Sequence, residues 1–368
     1  MQEIQKIAKK LQQIDKKVYI VWWWCRDKIL WRKPWDIDLT TDATPSEMKK
    51  VLDVVWEIGS KYGTLIIFEW GKKFEITAFR KDIWTVNNRK PAEVEFTNSL
   101  EEDASRRDFT MNAIYYDVSL DEYIDPFWWI DDLLSWKIKF IGNPEDRLWE
   151  DILRLLRCVR FKNKYNLVLP EWYTEILKNN ITLLNNISSF RIKDELDKML
   201  VDKSNVKTIY DLRRINFIWE IFAYITISEV EKDFEKLNNA EIFDVDLYYC
   251  AIFIHTQFFE DYLSSLPFSN KSKKKIRKII ANFQSLYFFE SLSKEEVGRL
   301  FIEDYIEDSL VLLGRYKIKE KYNDFKELLQ YITLPTWSDI VKNFPELKWS
   351  EIRDKLTEEQ NKILTWLV

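Results

Sequence analysis

The chain has 368 residues, 46% of them hydrophobic and 32% charged, a composition typical of globular rather than disordered proteins. Its formal net charge is −5, and no stretch approaches the roughly 18 apolar residues that a membrane-spanning helix needs. The single histidine, His255, excludes any site built from several histidines, and Cys25, Cys158 and Cys250 form neither a disulfide framework nor a zinc ligand set. The start of the chain lacks the apolar segment of a signal peptide, so we expect a cytoplasmic protein without membrane association.

The first 140 residues are predicted to contain both helices and strands. A polar, amphipathic helix is expected over residues 1–17. Thr44, Pro45 and Glu47 have the order of a capping box, which predicts that a helix begins there. Short apolar or alternating runs predict strands, the last two joined by a short turn, at residues 18–21, 36–41, 63–69 and 73–79.

From Asn143 onward the apolar residues recur at helical spacing, so the rest of the chain is predicted to be α-helical. The expected fold class is α+β, with a mixed β-sheet in an N-terminal head and an all-α remainder. We find no internal repeat and no low-complexity linker, so the domains are expected to follow one another directly. The predicted domains are a head over residues 1–140, a helical neck over 141–200, and a body and tail over 201–368.

Three acidic residues on two predicted strands form the first candidate site. Asp36 and Asp38 lie two residues apart on one strand, so both side chains point to the same face. Glu75 is predicted to be an inward-pointing acid between apolar neighbours on another strand. Since Mg²⁺ prefers oxygen ligands, the three acids are compatible with two-metal phosphoryl transfer. The alternative is a pair of solvated aspartates at the edge of a sheet.

A single helix predicted over residues 144–161 carries the second candidate site. Its apolar stripe faces the core, and its other side is rich in arginine and acidic residues, as in a surface helix held by salt bridges. The alternative is a base-selecting face. Asp151 would accept a hydrogen bond from the amino group of cytosine or adenine and Arg154 would donate to the ring nitrogen, whereas uracil and guanine present a keto oxygen. Arg157 and Arg160 would then reach phosphates.

A basic segment at residues 270–280 forms the third candidate site. A solvated helical face and a surface that contacts RNA phosphates are both compatible with it, because phosphate neutralisation needs Lys and Arg. Its six basic residues are Lys271, Lys273, Lys274, Lys275, Arg277 and Lys278.

Glycine and tryptophan occur in abnormal numbers. Ordinary usage would give about 26 glycines in this length, whereas the chain has 6 glycines and 17 tryptophans. Twelve of the tryptophans precede residue 150, several of them where a turn would favour glycine. No packing pattern accounts for tandem tryptophans in short polar linkers.

Four segments, in this order, resemble the motifs of class II tRNA nucleotidyltransferases, the family of CCA-adding enzymes and bacterial poly(A) polymerases. The first is similar to the family's glycine-pair motif with its D-x-D, the second to its RRDFTxNA motif, the third to its DPxGGxxDL hinge and the fourth to its base-selecting helix. The segments are WWWCRDKILWRKPWDIDLTT (22–41), EEDASRRDFTMNAIYYD (101–117), DPFWWIDDL (125–133) and IGNPEDRLWEDILRLLRCVRF (141–161). The resemblance extends over roughly residues 18–200.

The resemblance implies an enzyme that adds C, C and A to tRNA 3′ ends from CTP and ATP without a nucleic-acid template. A poly(A) polymerase or an A-adding enzyme of the same family is the alternative. The resemblance implies Mg²⁺ held by Asp36 and Asp38, with Glu75 as a third catalytic acid, tRNA contacts from the basic segment, and no obligate protein partner. The residues that would contact the nucleotide are Trp23, Arg26, Arg107, Asp108, Asp151, Arg154, Arg157 and Arg160.

The chain departs from the family pattern where the family has glycine, at Trp22, Trp23, Trp31, Trp128 and Trp129. A glycine-rich turn lets the backbone approach a phosphate, and an indole at residue 22 or 23 would fill that space. Two explanations remain open. The chain is either a catalytically inactive RNA-binding relative, or its natural form has glycine at UGA codons that are rendered as tryptophan in this sequence.

Overall fold

The computed structural model describes residues 1–34, 37–57, 62–83, 93–217, 227–256, 258–314, 316–330, 332 and 334–368. The chain divides into two compact units. The first unit comprises Met1–Met199 and Tyr210–Glu220, and the second comprises Leu200–Ile209 and Ile221–Val368. The predicted domain boundaries at residues 140 and 200 stay predictions.

A seven-stranded mixed sheet forms the centre of the first unit, in the order β3-β4-β5-β2-β1-β8-β9. Strands β2 and β5 are parallel, and the other neighbouring strands are antiparallel. Strands β6 and β7 pair separately. The strands are β1 Val18–Val21, β2 Asp38–Thr41, β3 Val54–Glu57, β4 Thr64–Glu69, β5 Lys72–Ala78, β6 Arg80–Ile83, β7 Glu93–Phe96, β8 Tyr115–Asp117 and β9 Glu122–Ile124.

The alternation of residues along each strand decides which face of the sheet is covered. In β5, Phe74 and Ile76 are buried whereas Glu75 is exposed, as expected for a strand with one face on the core. Central strand β1 is buried along its whole length. The predicted hairpin of β4 and β5 is confirmed, with six residue pairs in antiparallel register.

Along the chain, helices precede, separate and follow the strands of this sheet, and the described elements after residue 124 are helical. The predicted α+β fold class is confirmed. Up to residue 214 the helices are α1 Gln2–Gln12, α2 Trp23–Ile29, α3 Pro45–Val51, α4 Leu100–Ser105, α5 Ile130–Leu134, α6 Pro144–Glu150, α7 Leu153–Tyr165, α8 Glu171–Asn179, α9 Ser189–Leu200 and α10 Asn205–Arg214, with 3₁₀ turns at Thr110–Asn112 and Ile181–Asn186. The predicted capping box is confirmed at α3, where the Glu47 carboxylate accepts from the Thr44 N–H at 2.8 Å.

The second unit is helical in its described residues, with an apolar core around Phe301, Phe325 and Leu364. Its helices are α11 Ile227–Asn239, α12 Val245–Phe253, α13 Phe259–Ser265, α14 Asn270–Tyr287, α15 Lys294–Phe301, α16 Ile306–Leu313, α17 Tyr316–Leu329, α18 Trp337–Asn343 and α19 Trp349–Leu367, with a 3₁₀ turn at Phe289–Ser291. Across the described ranges, no helix has both the length and the apolar character needed to cross a bilayer.

The prediction of one continuous helix over residues 144–161 is wrong. Helix α6 ends at Glu150, and Asp151 has extended backbone angles (φ −150°, ψ 101°) before α7 begins. The Asp151 carboxylate accepts from the N–H of Leu153 at 3.2 Å, which caps the new helix. The predicted apolar stripe is nevertheless buried, at Leu148, Ile152, Leu155, Leu156 and Val159.

Among the described residues, five tryptophans have the left-handed backbone conformation that side chains other than those of Asn and Asp rarely adopt. None of the five is buried. They are Trp22 (φ 59°), Trp31 (φ 57°), Trp70 (φ 51°), Trp128 (φ 62°) and Trp136 (φ 55°).

Candidate active site

The parallel pairing of β2 and β5 brings two of the predicted acids together. Asp38 and Glu75 are direct partners in the register, so their side chains lie on the same face of the sheet. Glu75 is exposed and Asp38 is half-buried. The prediction that Glu75 points inward is therefore wrong, because its neighbours Phe74 and Ile76 occupy the core face. Asp36 lies outside the described residues.

A cavity adjoins these two acids. Its charged lining residues are Asp38, Glu75, Arg80, Arg106 and Arg107. Carboxylates bind hard cations and arginines bind phosphate oxygens, so this lining suits a complex of a divalent cation with a polyphosphate. Within the described ranges no cluster of three or more His, Cys, Asp or Glu side chains is found. The lining residues are Val21, Trp22, Asp38, Leu39, Thr40, Thr64, Glu75, Thr77, Arg80, Arg106 and Arg107.

Two of the cavity arginines are held from behind by the buried carboxylate of Asp103. Its Oδ1 accepts from Arg106 Nη2 at 2.6 Å and Nε at 2.8 Å, and its Oδ2 accepts from Arg107 Nη2 at 2.8 Å. The Tyr115 hydroxyl donates to Oδ2 at 2.7 Å. Burial disfavours the charged carboxylate, but the charges of both arginines outweigh it and hold the pKa of Asp103 below its usual range.

A second cavity adjoins α2 and α7. The guanidinium of Arg26 is almost fully buried there, where its Nη2 donates to the Tyr165 hydroxyl at 2.7 Å and its Nη1 donates to Asn112. The Arg26 Nε has no hydrogen-bond partner among the described residues. Trp22 lines both this cavity and the first one. The lining residues are Trp22, Trp23, Arg26, Asn112, Arg157, Arg160, Phe161 and Lys198.

Acidic side chains fix the orientation of the two α7 arginines at this cavity. Arg157 Nε donates to Asp108 at 2.7 Å, and Arg160 Nε donates to the buried Glu195 at 2.7 Å. Burial raises the pKa of Asp108, but the Arg157 charge and a hydrogen bond from Asn112 lower it further, to about 2. Asp108 is therefore charged near neutral pH, and both acids hold the arginine side chains in place by hydrogen bonds.

Asp151 and Arg154, the predicted base-selecting pair, have separate partners. Asp151 accepts from Arg191 Nη2 at 2.7 and 3.0 Å. Arg154 is buried and donates to the Glu150 carboxylate at 2.6 Å and to the carbonyl of Arg147 at 3.0 Å. Asp151 lies at the break between α6 and α7, whereas Arg154 lies in the first turn of α7, so the two do not share one continuous helix.

Sequence reasoning missed four polar residues that contact the predicted site residues: Asp103, Asn112, Arg191 and Glu195. A signal was available for Asp103, because it lies four residues before Arg107, the spacing of an i,i+4 ion pair. Arg191 and Glu195 lie 40 and 35 residues from their partners Asp151 and Arg160, so only the tertiary fold reveals them.

The basic segment lies at the start of α14 in the second unit. Half of its cations are paired locally: Lys275 with Asp244, Arg277 with Glu260 at 2.7 Å, and Lys278 with Glu303. For the other three, the described part of the chain contains no ion pair. These are Lys271, Lys273 and Lys274.

Comparison with known proteins now identifies the family. Residues 18–139 match the model of the poly A polymerase head domain. The CCA-adding enzyme of Staphylococcus haemolyticus is 31% identical over 304 residues, 82% of this chain and 73% of the relative. That of Staphylococcus epidermidis is 30% identical over 320 residues, 86% of this chain and 77% of the relative. The chain belongs to the family of CCA-adding enzymes. It is thus a nucleotidyltransferase, as the four motifs predicted.

Solved structures show that the CCA-adding enzyme fold extends over the whole chain. The Bacillus stearothermophilus CCA-adding enzyme in complex with CTP superposes with a TM-score of 0.79 at 23% identity, covering 100% of this chain and 96% of that one. A tRNA nucleotidyltransferase complexed with a primer tRNA and an incoming ATP analog superposes with a TM-score of 0.68 at 21% identity, covering 89% and 100%. Both therefore share the fold of this family member in its head and in its helical remainder.

Proposed function

We propose that this chain adds C, C and A to the 3′ ends of tRNA, using CTP and ATP and no nucleic-acid template. The observation that carries the proposal is the register pair of Asp38 and Glu75 beside Arg80, Arg106 and Arg107. The two similar structures named above were determined with CTP, and with a primer tRNA and an ATP analog. Family membership and the donor chemistry of the cavity both support these substrates.

We infer that Mg²⁺ is held by Asp38 and Asp36, with Glu75 as the third acid. The donor set fits this cation, because Asp38 and Glu75 present carboxylate oxygens on neighbouring strands. When bound, Mg²⁺ would lower the pKa of the primer 3′-hydroxyl and neutralise charge on the phosphates.

The arginines of the first cavity orient the triphosphate in this proposal. Arg106 and Arg107 are fixed by Asp103, and Arg80 Nε donates to Asp82 at 3.1 Å. Guanidinium groups that are already oriented lose little side-chain entropy when phosphate oxygens bind. These three side chains would therefore position the α-phosphate for attack without large rearrangement.

Base choice is proposed to depend on Asp151, with Arg154 as the donor to the ring nitrogen. A carboxylate offers about four acceptor positions, and the ion pair with Arg191 uses only part of them. The amino group of cytosine or adenine can donate to a remaining position, whereas the keto oxygen of uracil or guanine cannot. Trp23, Arg26, Asp108, Arg157 and Arg160 complete the proposed nucleotide contacts.

The deciding experiment supplies tRNA transcripts that lack the whole CCA end, its last two residues or its last residue, with each labelled nucleotide alone and in mixtures. We expect incorporation of two C residues and then one A, after which addition stops. Continued A addition would instead identify a poly(A) polymerase, and A addition to the last transcript alone would identify an A-adding enzyme. No addition, together with retained tRNA binding, would indicate an inactive relative.

A further inference from the structure

In the described part of the chain eleven residues other than glycine have positive φ, and tryptophan is the most frequent type among them. Glu241 and Tyr305 are the two that are neither tryptophan nor Asn or Asp. Asn and Asp tolerate the left-handed conformation because their short side chains bond the local backbone, and Asp15, Asp121, Asn166 and Asn216 are of this kind. Tryptophan has no such compensation. Five of its occurrences are nevertheless left-handed, at residues 22, 31, 70, 128 and 136.

None of these five indoles lies in the apolar core, and their contacts are with surface or cavity cations: Lys6 Nζ lies 3.3 Å from the Trp70 ring centre, and the Arg107 guanidinium lies near the Trp22 ring. Trp31 is 96% exposed, Trp128 82% and Trp70 67%. Trp24 is the contrasting case, because it lies within α2, is 9% exposed and packs on Tyr116 with ring centroids 4.7 Å apart. A buried tryptophan in a helix and an exposed one in a left-handed turn therefore require different explanations.

We propose that residues 22, 31, 70, 128 and 136 are glycine in the natural protein, encoded by UGA codons that its own translation system reads as glycine. Glycine adopts positive φ without steric cost, which is what each of the five turns requires. The proposal also accounts for the shortage of glycine and the excess of tryptophan. It is independent of Trp23 and Trp129, whose described backbone conformations are helical or nearly so.

At residue 22 the proposal changes the site itself, a step that rests on the proposed function. Among the described residues Trp22 alone lines both of these cavities, and its ring lies 5.6 Å from the Arg107 guanidinium. Glycine there removes the indole that separates Asp38 and Glu75 from Arg26, Arg157 and Arg160. The two cavities then form one cleft that holds a triphosphate at one end and a base at the other.

The gene and the native protein test the codon assignment. We expect UGA at all five codons, and glycine in the corresponding peptides by mass spectrometry of protein purified from the organism that carries the gene. UGG codons, or tryptophan in those peptides, would overturn the proposal. Neither measurement depends on enzymatic activity, so this result is separate from the fate of the proposed function.

Single substitutions in the tryptophan-containing chain test whether the turns favour glycine. Trp31→Gly, Trp70→Gly, Trp128→Gly and Trp136→Gly are each expected to raise Tm, whereas the matched control Trp24→Gly is expected to lower it. A fall in Tm at the four turn positions would contradict a glycine requirement. Trp22→Gly is expected to increase equilibrium affinity for CTP by about tenfold or more, and unchanged affinity would refute the single cleft.

A different observation, the contacts of Asp103, supports a second inference. We propose that Asp103 is a positioning residue that aims Arg106 and Arg107 at the triphosphate, which again rests on the proposed function. Its two carboxylate oxygens are divided between the two guanidinium groups, and its side chain is fully buried. It does not line the cavity, so it acts through the arginines alone.

Asp103→Asn and Asp103→Glu, with Tyr115→Phe as the control, test this role. Misplaced arginines are expected to raise KM for CTP about ten- to a hundred-fold in both Asp103 variants, with a smaller change in kcat. Tyr115→Phe removes one hydrogen bond to Asp103 but neither arginine contact, so its KM should stay near wild type. An unchanged KM in the folded Asp103 variants would overturn the proposal. The Asp103→Glu variant keeps a negative charge beside Arg106 and Arg107, so it tests the position of the carboxylate in a variant that is less prone to unfold than Asp103→Asn.

Discussion

The carboxylates at the sheet and those outside it have different surroundings. Asp38 and Glu75 lie on neighbouring strands at a cavity, one half-buried and the other exposed. Asp103, Asp108 and Glu195 are withdrawn from solvent, and each accepts hydrogen bonds from arginine. The same chemical group is thus available to a ligand where it meets an open cavity, and it holds arginine side chains in place where guanidinium groups surround it.

This division follows from the energetics of burial. A buried charge is tolerated when it is paired and hydrogen-bonded, and removing one partner leaves the other charge uncompensated. Anchoring acids are therefore expected to affect stability and geometry, whereas acids at the cavity are expected to affect turnover. The following experiments separate the two roles.

The largest effect is expected for Asp38→Ala. Losing a metal-binding carboxylate removes on the order of 4 kcal/mol of transition-state stabilisation, so nucleotide addition should fall about 10³-fold while tRNA binding survives. Glu57→Gln is the matched control, since Glu57 is an exposed acid of the same sheet that pairs with Lys49. Undiminished turnover of Asp38→Ala in Mg²⁺ would place the metal elsewhere.

Asp151 tests whether one carboxylate serves both purposes. Asp151→Ala removes the proposed acceptor for the base, and unpaired polar groups cost about 1–3 kcal/mol each, so misincorporation of U or G should rise roughly 10–100-fold. Arg191→Ala removes only the anchor of Asp151 and should leave base discrimination nearer wild type. If Asp151 serves only its ion pair with Arg191, both variants will lose stability alike and keep selectivity.

Asp108 predicts an acid dependence of stability. Its pKa of about 2 in the folded state lies below the usual value near 4, so its contribution is complete above about pH 4 and is lost as the pH falls through 2. The shift corresponds to about 2 kcal/mol. Asp108→Asn should lose that much unfolding free energy at pH 7 and less at pH 2.5, measured by urea denaturation. Asp131→Asn, which changes an exposed aspartate on α5, is the matched control for the loss of a surface carboxyl.

The sequence predicted what local patterns encode and missed what the tertiary fold brings together. Short apolar or alternating runs predicted β1, β2, β4 and β5, and the four motifs identified the family from the sequence alone. The break at Asp151 was missed because the apolar stripe continues across it, with Leu148 before the break and Ile152 after it both buried. Hydrophobic period alone does not report a single extended residue inside a helical pattern.

The anchors of the site were missed for a related reason. Glu195 and Arg191 are ordinary members of an amphipathic helix in the sequence, and only the packing of α9 near α7 gives them the partners Arg160 and Asp151. Three of the five left-handed tryptophans, Trp22, Trp31 and Trp128, stand at positions where the family motifs have glycine, so the motifs pointed to them. The turns at Trp70 and Trp136 have no motif and became visible only through their backbone angles.

The smallest effect is expected in α14, where acidic residues at the surface form ion pairs with three of the six cations of the basic segment. Lys271, Lys273 and Lys274 would contact tRNA phosphates, so replacing all three with alanine should weaken tRNA binding about tenfold and reduce the salt dependence by up to about 3 in log–log slope. The matched triple variant of Lys275, Arg277 and Lys278 should lose less affinity, because these cations already pair with Asp244, Glu260 and Glu303. KM for CTP should be unchanged in both variants. Equal losses of tRNA affinity would mean that the ion pairs of Lys275, Arg277 and Lys278 do not keep these residues from binding phosphates. Unchanged affinity in both variants would mean that the basic segment is a solvent-exposed surface that does not contact tRNA.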